Sequence, residues 1–278
     1  MTTIVGFSKA LVKVLANSKI QVNKVVFSKS PHIELLNYCK TNEIDSCTLE
    51  DYLESVDTEL TILFECNIII PRSNLKVGKW LNIHSGVLPF WRGFNANSWA
   101  ILNDYPAVGI SIHEVTEKLD DGPILKVFKI DNDYISSFHS MKDKLIDQLS
   151  HDLSDLLSNY LNGTLIATPQ SYKLSEIRYC SRLKKEDGVI SDFKLSSKQI
   201  VNLFRVFSNQ YSSDFYIRAA DKVFRVKDIN DVGNVYIGPP GRVLLSENNK
   251  LMIKTLDGAI WVGLQNTEEL LTLKSALR

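Results

Sequence analysis

LNIHSGVLPFWRGFNANSWAILN, Leu81–Asn103, is the stretch on which the reading of this chain turns. Trp80–His84 is predicted to be a buried strand, and the chain leaves it through Pro89 and the Arg92-Gly93 turn. Asn82 and His84 are two apart. A strand repeats every two residues, so both side chains fall on one face. Open α/β sheets carry their reactive groups at the carboxyl ends of strands. An Asn beside a His at such a place offers one amide donor and one proton acceptor. Further on, Leu119-Asp120-Asp121-Gly122-Pro123 puts carboxylates on a tight turn between two predicted strands, Ala107–Val115 and Pro123–Ile130.

Upstream of Leu81, short β-rich runs alternate with helical ones. Thr3–Gly6, Val22–Phe27 and Glu59–Phe64 are predicted strands, and Asn67–Ile70 is a further apolar, β-branched run. Between them, Ser8 caps a helix with Ala10, Leu11, Val14 and Leu15 facing inward, and Pro31-His32 opens a second one. Strands separated by helices imply a mainly parallel sheet. The expected fold class is therefore α/β, Rossmann-like.

Downstream, Phe94–Asn103 is expected to be helical. Phe138, Met141, Leu145, Leu149, Leu153, Leu156 and Tyr160 recur at helical steps, and Asn162-Gly163 ends that helix. Thr164–Glu186 is polar and reads as a linker or a wrapping segment. Beyond it come one helix, Ser196–Phe207, and five short strand candidates, the last two joined at Asp257-Gly258. The expected division is a catalytic domain over 1–185 and a small β-rich, OB-like domain over 186–278.

Composition narrows the function. The 278 residues are 44% hydrophobic and 23% charged, as in folded globular proteins. Lys plus Arg and Asp plus Glu each number 32, so the basic excess of a general nucleic-acid binder is missing. No run of about 18 uncharged apolar residues exists to cross a membrane. Met1–Lys19 lacks the apolar core of a signal peptide, and the four cysteines show neither metal spacing nor a pairing pattern. The expectation is a cytoplasmic, membrane-free protein with reduced thiols and no metal. After the first predicted strand stands Val5-Gly6-Phe7-Ser8-Lys9, not GxGxxG, and no Walker loop, HExxH helix or GxSxG is present.

Taken in order, Asn82-x-His84, Leu88-Pro89, Trp91-Arg92-Gly93, Trp99-Ala100-Ile101, Gly109 to His113 and Asp120-x-Gly122 resemble the pattern of the folate-dependent formyltransferases. Glu186-Asp187-Gly188, Gln210-Tyr211 with Phe215, Gly241-Arg242-Val243 and Thr255-x-Asp257-Gly258 resemble the C-terminal landmarks of the two-domain members. The sequence departs from the pattern at Gly86, where serine is common, at Trp91, the aromatic of a Tyr-Arg-Gly turn, and in a glycine turn reduced to Gly6.

The resemblance implies the formyltransferase fold and transfer of a formyl group from N10-formyltetrahydrofolate, a cosubstrate, to a primary amine. It maps the catalytic Asn, His and Asp onto Asn82, His84 and Asp120. The pterin is expected along Phe64, Cys66, Asn67, Ile69 and Ile70, with Asp121 also assigned to the folate site. A neutral imidazole with a pKa near 6.5 suits removal of the amine proton. The Asn82 amide suits the oxyanion, at roughly 3 kcal/mol in comparable sites. Asp120 orients His84 or relays protons to the leaving nitrogen.

The expected acceptor is a nucleotide-linked amino-dideoxy sugar, such as a thymidine-diphosphate 3-amino or 4-amino sugar, for a bacterial surface polysaccharide such as the O-antigen of lipopolysaccharide. The short first loop, small C-terminal region and zero net charge favour it over the alternative, methionyl-tRNA. Ser8 and Lys9, at a helix N-terminus, and Arg92 are the candidate substrate-binding residues. The competing roles are an N-cap for Ser8 and salt bridges pinning its loop for Arg92. His113 is read as structural or pocket-lining, and His32, His139 and His151 as solvated. Pairing of strand edges suggests a homodimer.

Overall fold

The computed structural model describes residues 1–66, 68–208 and 214–277. Asn67, Gln210 and Tyr211 thus lie outside the described residues. The chain forms two compact units, one made of Met1–Ala100, Ala107–Asp131 and Lys142–Ser181, the other of Ile101–Pro106, Asn132–Met141 and Arg182–Arg278.

The first unit holds β1 (Thr2–Gly6), α1 (Lys9–Asn17), β2 (Lys24–Phe27), α2 (Ile33–Thr41), β3 (Asp45–Thr48), α3 (Leu49–Glu54), β4 (Leu60–Phe64), β5 (Lys79–His84), β6 (Trp91–Gly93), most of α4 (Ala96–Leu102), β7 (Ala107–Glu114), β8 (Ile124–Asp131), most of α5 (Phe138–Leu161) and β9 (Arg178–Cys180). Seven strands form one sheet in the order β3-β2-β1-β4-β5-β7-β8. Strands β3 through β5 run parallel, and β7 is antiparallel to both β5 and β8. This is the expected α/β, mainly parallel sheet. Strand order reverses between β1 and β4, which places a crevice at their carboxyl ends.

The elements follow from side-chain pattern. Leu-Thr-Ile-Leu-Phe of β4 is buried throughout, as a strand covered on both faces must be. Leu11, Val14 and Leu15 form the buried stripe of α1, and Leu145, Leu149 and Leu153 that of α5. Each side chain of this size gains roughly 1.5–3 kcal/mol on full burial.

Two stretches differ from the expectation. β3 and α3 have no counterpart in the sequence reading, because Asp-Ser-Cys-Thr is a largely exposed edge strand without an apolar pattern. The Asn67–Ile70 run is not a strand over its described residues. The chain leaves the sheet at Glu65, at φ +52°, and Ile69 is exposed. Branched apolar residues here serve a connection, not a ladder.

The polar segment after α5 wraps. Thr168 and Ile124 exchange two backbone hydrogen bonds of 2.8 Å, and β9 pairs in parallel with β6.

The second unit contains β10 (Val189–Ile190), α6 (Ser197–Phe207), β11 (Tyr216–Ala219), β12 (Lys222–Asp231), β13 (Val243–Glu247), β14 (Lys250–Lys254), β15 (Ala259–Leu264) and α7 (Leu270–Ala276). Its six-stranded sheet runs β10-β11-β12-β15-β14-β13. Ser196 and Gln199 form a capping box at α6. Ile200, Phe215, Ile217, Phe224, Val262 and Leu273 share one buried core. This is the expected β-rich C-terminal part.

Candidate active site

β5 is a central strand, between β4 and β7. Its register sets Asn82 opposite His113 and His84 opposite Ser111. The alternation of the strand puts Asn82 and His84 on one face, as the spacing predicts. After His84 the chain folds back on itself. Ser111 Oγ accepts from the Leu88 amide at 3.0 Å and donates to the Gly86 carbonyl at 2.7 Å. Asn97 at the start of α4 exchanges bonds of 2.7 and 2.8 Å with the Gly109 backbone. A Cβ on Gly86 would lie 2.6 Å from His84 Nε2 and 2.9 Å from the Trp91 carbonyl oxygen, so only glycine fits under the ring.

The turn between β7 and β8 brings Asp120 to the same place. Asp120 holds φ +49°, a left-handed conformation that costs an L residue roughly 1–2 kcal/mol. Gly122 closes the turn, and any Cβ there would sit 1.8 Å from the Glu114 carbonyl oxygen. Asp120 Oδ2 accepts from the Gly93 amide at 2.7 Å and lies 3.5 Å from His84 Nδ1. Asp120 Oδ1 lies 3.3 Å from Asn82 Nδ2 and 3.6 Å from His113 Nε2. Asn82 Nδ2 is also 3.1 Å from His113 Nε2. The structure thus brings together Asn82, His84 and Asp120, and adds His113 to them.

The protonation pattern follows from these contacts. His84 Nε2 is 2.8 Å from the Trp91 carbonyl oxygen. A carbonyl only accepts, so Nε2 carries the ring hydrogen and Nδ1 presents its lone pair toward Asp120. Burial pushes His84 below 6.5, against the opposing pull of the Asp120 charge, and the ring is neutral at pH 7. Burial alone would raise Asp120. Contacts from His113, His84 and the Gly93 amide outweigh it and hold the carboxyl near about 2. A neutral imidazole therefore faces an ionised carboxylate, and both are nearly closed to water. Such a pair takes up a proton at Nδ1 and stabilises the imidazolium formed.

The other candidate residues are placed less uniformly. Phe64 pairs in register with Ile83, so residues after β4 leave the sheet beside the strand of Asn82 and His84. Phe64 and Ile70 are buried in the core, and Ile69 is 77% exposed. Burial raises the Cys66 thiol to about 11. Ser8 is the N-cap of α1, but its hydroxyl makes no capping bond and is buried without a partner. Lys9 pairs with Glu34 at 2.8 Å on the surface.

Arg92 does not face outward toward a ligand. Its guanidinium is 2% exposed, 2.7 Å from Asp121 Oδ1, and donates to Gln170 Oε1 at 2.8 Å. Asp121 also accepts from the Tyr172 hydroxyl at 2.6 Å. These two side chains hold the loop, and the substrate role assigned to Arg92 and the folate role assigned to Asp121 would have to displace an ion pair. Gln170 and Tyr172 carry no sequence signal of their own, since they come from the polar wrapping segment. His113, expected to be structural or pocket-lining, is set opposite Asn82 by the pairing of β5 with β7. Among the described residues no group of His, Cys, Asp or Glu has the arrangement of a metal site, and no helix is long and apolar enough to cross a membrane.

Two curated relatives are methionyl-tRNA formyltransferases. The one from Thermodesulfovibrio yellowstonii is 25% identical over 236 residues, 84% of this chain and 73% of its own length. That from Pelobacter propionicus is 27% identical over 207 residues, 73% of this chain and 62% of its own length. Among solved structures, the sugar 3N-formyl transferase WlaRD, crystallised with dTDP and 5-N-formyl-THF, matches at TM-score 0.73 and 18% identity, over 95% of this chain and 97% of that one. The N-formyltransferase of Helicobacter canadensis, crystallised with folinic acid and dTDP-3-aminofucose, matches at TM-score 0.71 and 19% identity, over 95% and 98%. HypX from Aquifex aeolicus with tetrahydrofolic acid matches at 0.63 and 19%, and this chain spans 43% of it. At these identities the structures establish the fold. The formyl transferase model matches residues 7–155 and the model of the formyl transferase C-terminal domain matches residues 182–273, so that the chain belongs to the formyl transferase family.

Proposed function

We propose that this protein transfers the formyl group of N10-formyltetrahydrofolate to the amine of a nucleotide-linked amino-dideoxy sugar. The observation that carries the reaction is the meeting of Asn82, His84 and Asp120 at the carboxyl end of β5, with His84 neutral and Asp120 ionised. In this reading the amine attacks the formyl carbon, and His84 Nδ1 takes its proton. Asn82 Nδ2 then turns from His113 and Asp120 toward the oxyanion. As the carbon–N10 bond breaks, the proton held between His84 and Asp120 passes to the leaving nitrogen.

The sugar acceptor is supported by three points. The two sugar enzymes align over nearly their whole length, whereas the chain spans only 73% and 62% of the two methionyl-tRNA enzymes. Net charge is zero, with no basic excess for a polyanion. The turn after β1 is short, and Ser8 leaves a buried hydroxyl without a partner at the start of α1. That hydroxyl and Lys9, once released from Glu34, are proposed to meet the nucleotide phosphates. A cytoplasmic homodimer with catalytic residues in 1–185 belongs to the same proposal. Methionyl-tRNA is the second reading, favoured by the names of the sequence relatives.

Purified protein is incubated with N10-formyltetrahydrofolate and a panel of dTDP-linked 3-amino and 4-amino sugars, methionyl-tRNA, and buffer alone. Release of tetrahydrofolate with one amino sugar is expected. Efficient formyl-methionyl-tRNA formation refutes the sugar reading, and release in buffer alone points to a hydrolase.

A further inference from the structure

The turn that carries Asp120 is held from outside by one side chain. Gln170 Nε2 donates to the Asp120 carbonyl at 2.9 Å and to the Gly122 carbonyl at 2.8 Å. Both amide hydrogens are thus spent on the carbonyls of the two residues that flank Asp121. Gln170 Oε1 accepts from Arg92 Nη2 at 2.8 Å, which fixes the orientation of the amide. The guanidinium stacks at 4.6 Å over Tyr172, whose hydroxyl donates to Asp121.

The segment that presents Gln170 is itself anchored on both sides. Thr168 is bridged to Ile124, and β9 pairs with β6 at Trp91–Gly93. The same β6 supplies the Gly93 amide that binds the Asp120 carboxylate. Asp120 is in the left-handed region, where its backbone has no local preference strong enough to hold one orientation. Restraint from the wrapping segment supplies what the turn lacks.

We propose that Gln170 is a positioning residue for formyl transfer, whose side-chain amide clamps the Asp120 turn so that the carboxylate meets His84. The inference rests on His84 and Asp120 being the proton-handling pair of the proposed reaction. His84 is faced by Asp120 of the turn, His113 of β7 and Arg92 of β6. Asp120 is the one of the three that favours the protonated ring. Loosening the turn moves that charge away, so the ring protonates at lower pH.

The test is Gln170→Met, close in shape and without donor or acceptor. We expect kcat to fall about tenfold or more, with KM for donor and acceptor within about twofold. In NMR titration the His84 ring is expected to protonate about half a pH unit lower than in the wild type. Gln170→Glu keeps an acceptor for Arg92 but loses both donors, and should show the same kcat loss; it also serves if the Met variant does not fold. A folded variant with wild-type kcat and an unshifted His84 overturns the proposal. So does failure of both variants to fold, which would make Gln170 a residue of stability alone. Should the wild type transfer formyl to no amine while the His84 shift is still seen, the functional reading falls and the clamp stands.

Discussion

His84 Nδ1 faces Asp120 Oδ2 at 3.5 Å. Because Nε2 of the same ring donates to the Trp91 carbonyl, the two facing atoms are both acceptors in the resting protein. In the proposed reaction a proton arriving from an attacking amine would fill that gap and turn it into a charge-assisted hydrogen bond. In that reading the site is prepared for the product of proton transfer, not for its starting state.

The pH profile should be one-sided over the acidic range. His84 must be neutral to accept a proton, and burial lowers its pKa below 6.5. Activity is expected to fall only at a pH below 6.5, where the buried ring takes up its proton. Asp120, near about 2, remains ionised throughout. Measurement of kcat/KM against pH decides the matter, and an acid limb centred above pH 6.5 would count against a buried His84 as the base.

Asp120→Asn should reduce kcat by roughly a hundredfold or more, since the proton on Nδ1 loses its counter-charge. The acid limb should move to lower pH in the same variant, because the Asp120 charge is the larger of the two influences that raise His84, the Trp91 carbonyl being the other. Rate and limb are read in one set of pH-dependent kinetics. A limb moving upward would contradict the arrangement.

Gly86→Ser restores the residue common in the family pattern and should be harmful here. Its Cβ would stand 2.6 Å from His84 Nε2 and 2.9 Å from the Trp91 oxygen. Overpacking of this kind costs about 1–3 kcal/mol. The expected outcome is a lower Tm together with a lower kcat, as the ring leaves the carbonyl that sets its tautomer. Calorimetry and steady-state rates check both, and an unchanged kcat would show that the ring orientation does not depend on this contact.

Stability should rise with pH up to about 6.5 and level off above it. An unfolded His84 takes up a proton near 6.5, whereas the buried ring takes it only at lower pH. Between the two values the unfolded chain binds more protons, so acidification favours unfolding. Urea midpoints measured from about pH 5 to about pH 8 should increase in the wild type, with a shallower slope in His84→Asn. Equal slopes would place the pH dependence elsewhere.

Part of the site could be read from residue order because it depends on short-range geometry, and the resemblance implied how those parts join. Asn82 and His84 share a face by the period of a strand, and the glycine two after Asp120 marks a turn. The edge strand β3 escaped notice because an exposed ladder needs no apolar pattern. Asn67–Ile70 reads as a strand because branched apolar composition does not distinguish a ladder from a connection, and Ile68 and Ile69 are exposed. Arg92 was expected to bind substrate or pin its loop, and only the fold shows the carboxylate of Asp121 at 2.7 Å.

By itself, the order of residues determined the α/β class, the β-rich second part, and the shared face of Asn82 and His84, while the resemblance implied Asp120 as their companion. Periodicity and turn chemistry act over a few residues, which is the range a sequence displays. The tertiary structure decided the ring tautomer of His84, the company of His113 beside Asn82, and the grip of Gln170 on the Asp120 turn. Each of these depends on a backbone or side-chain group brought near by the fold, and proximity of that kind leaves no mark in spacing along the chain.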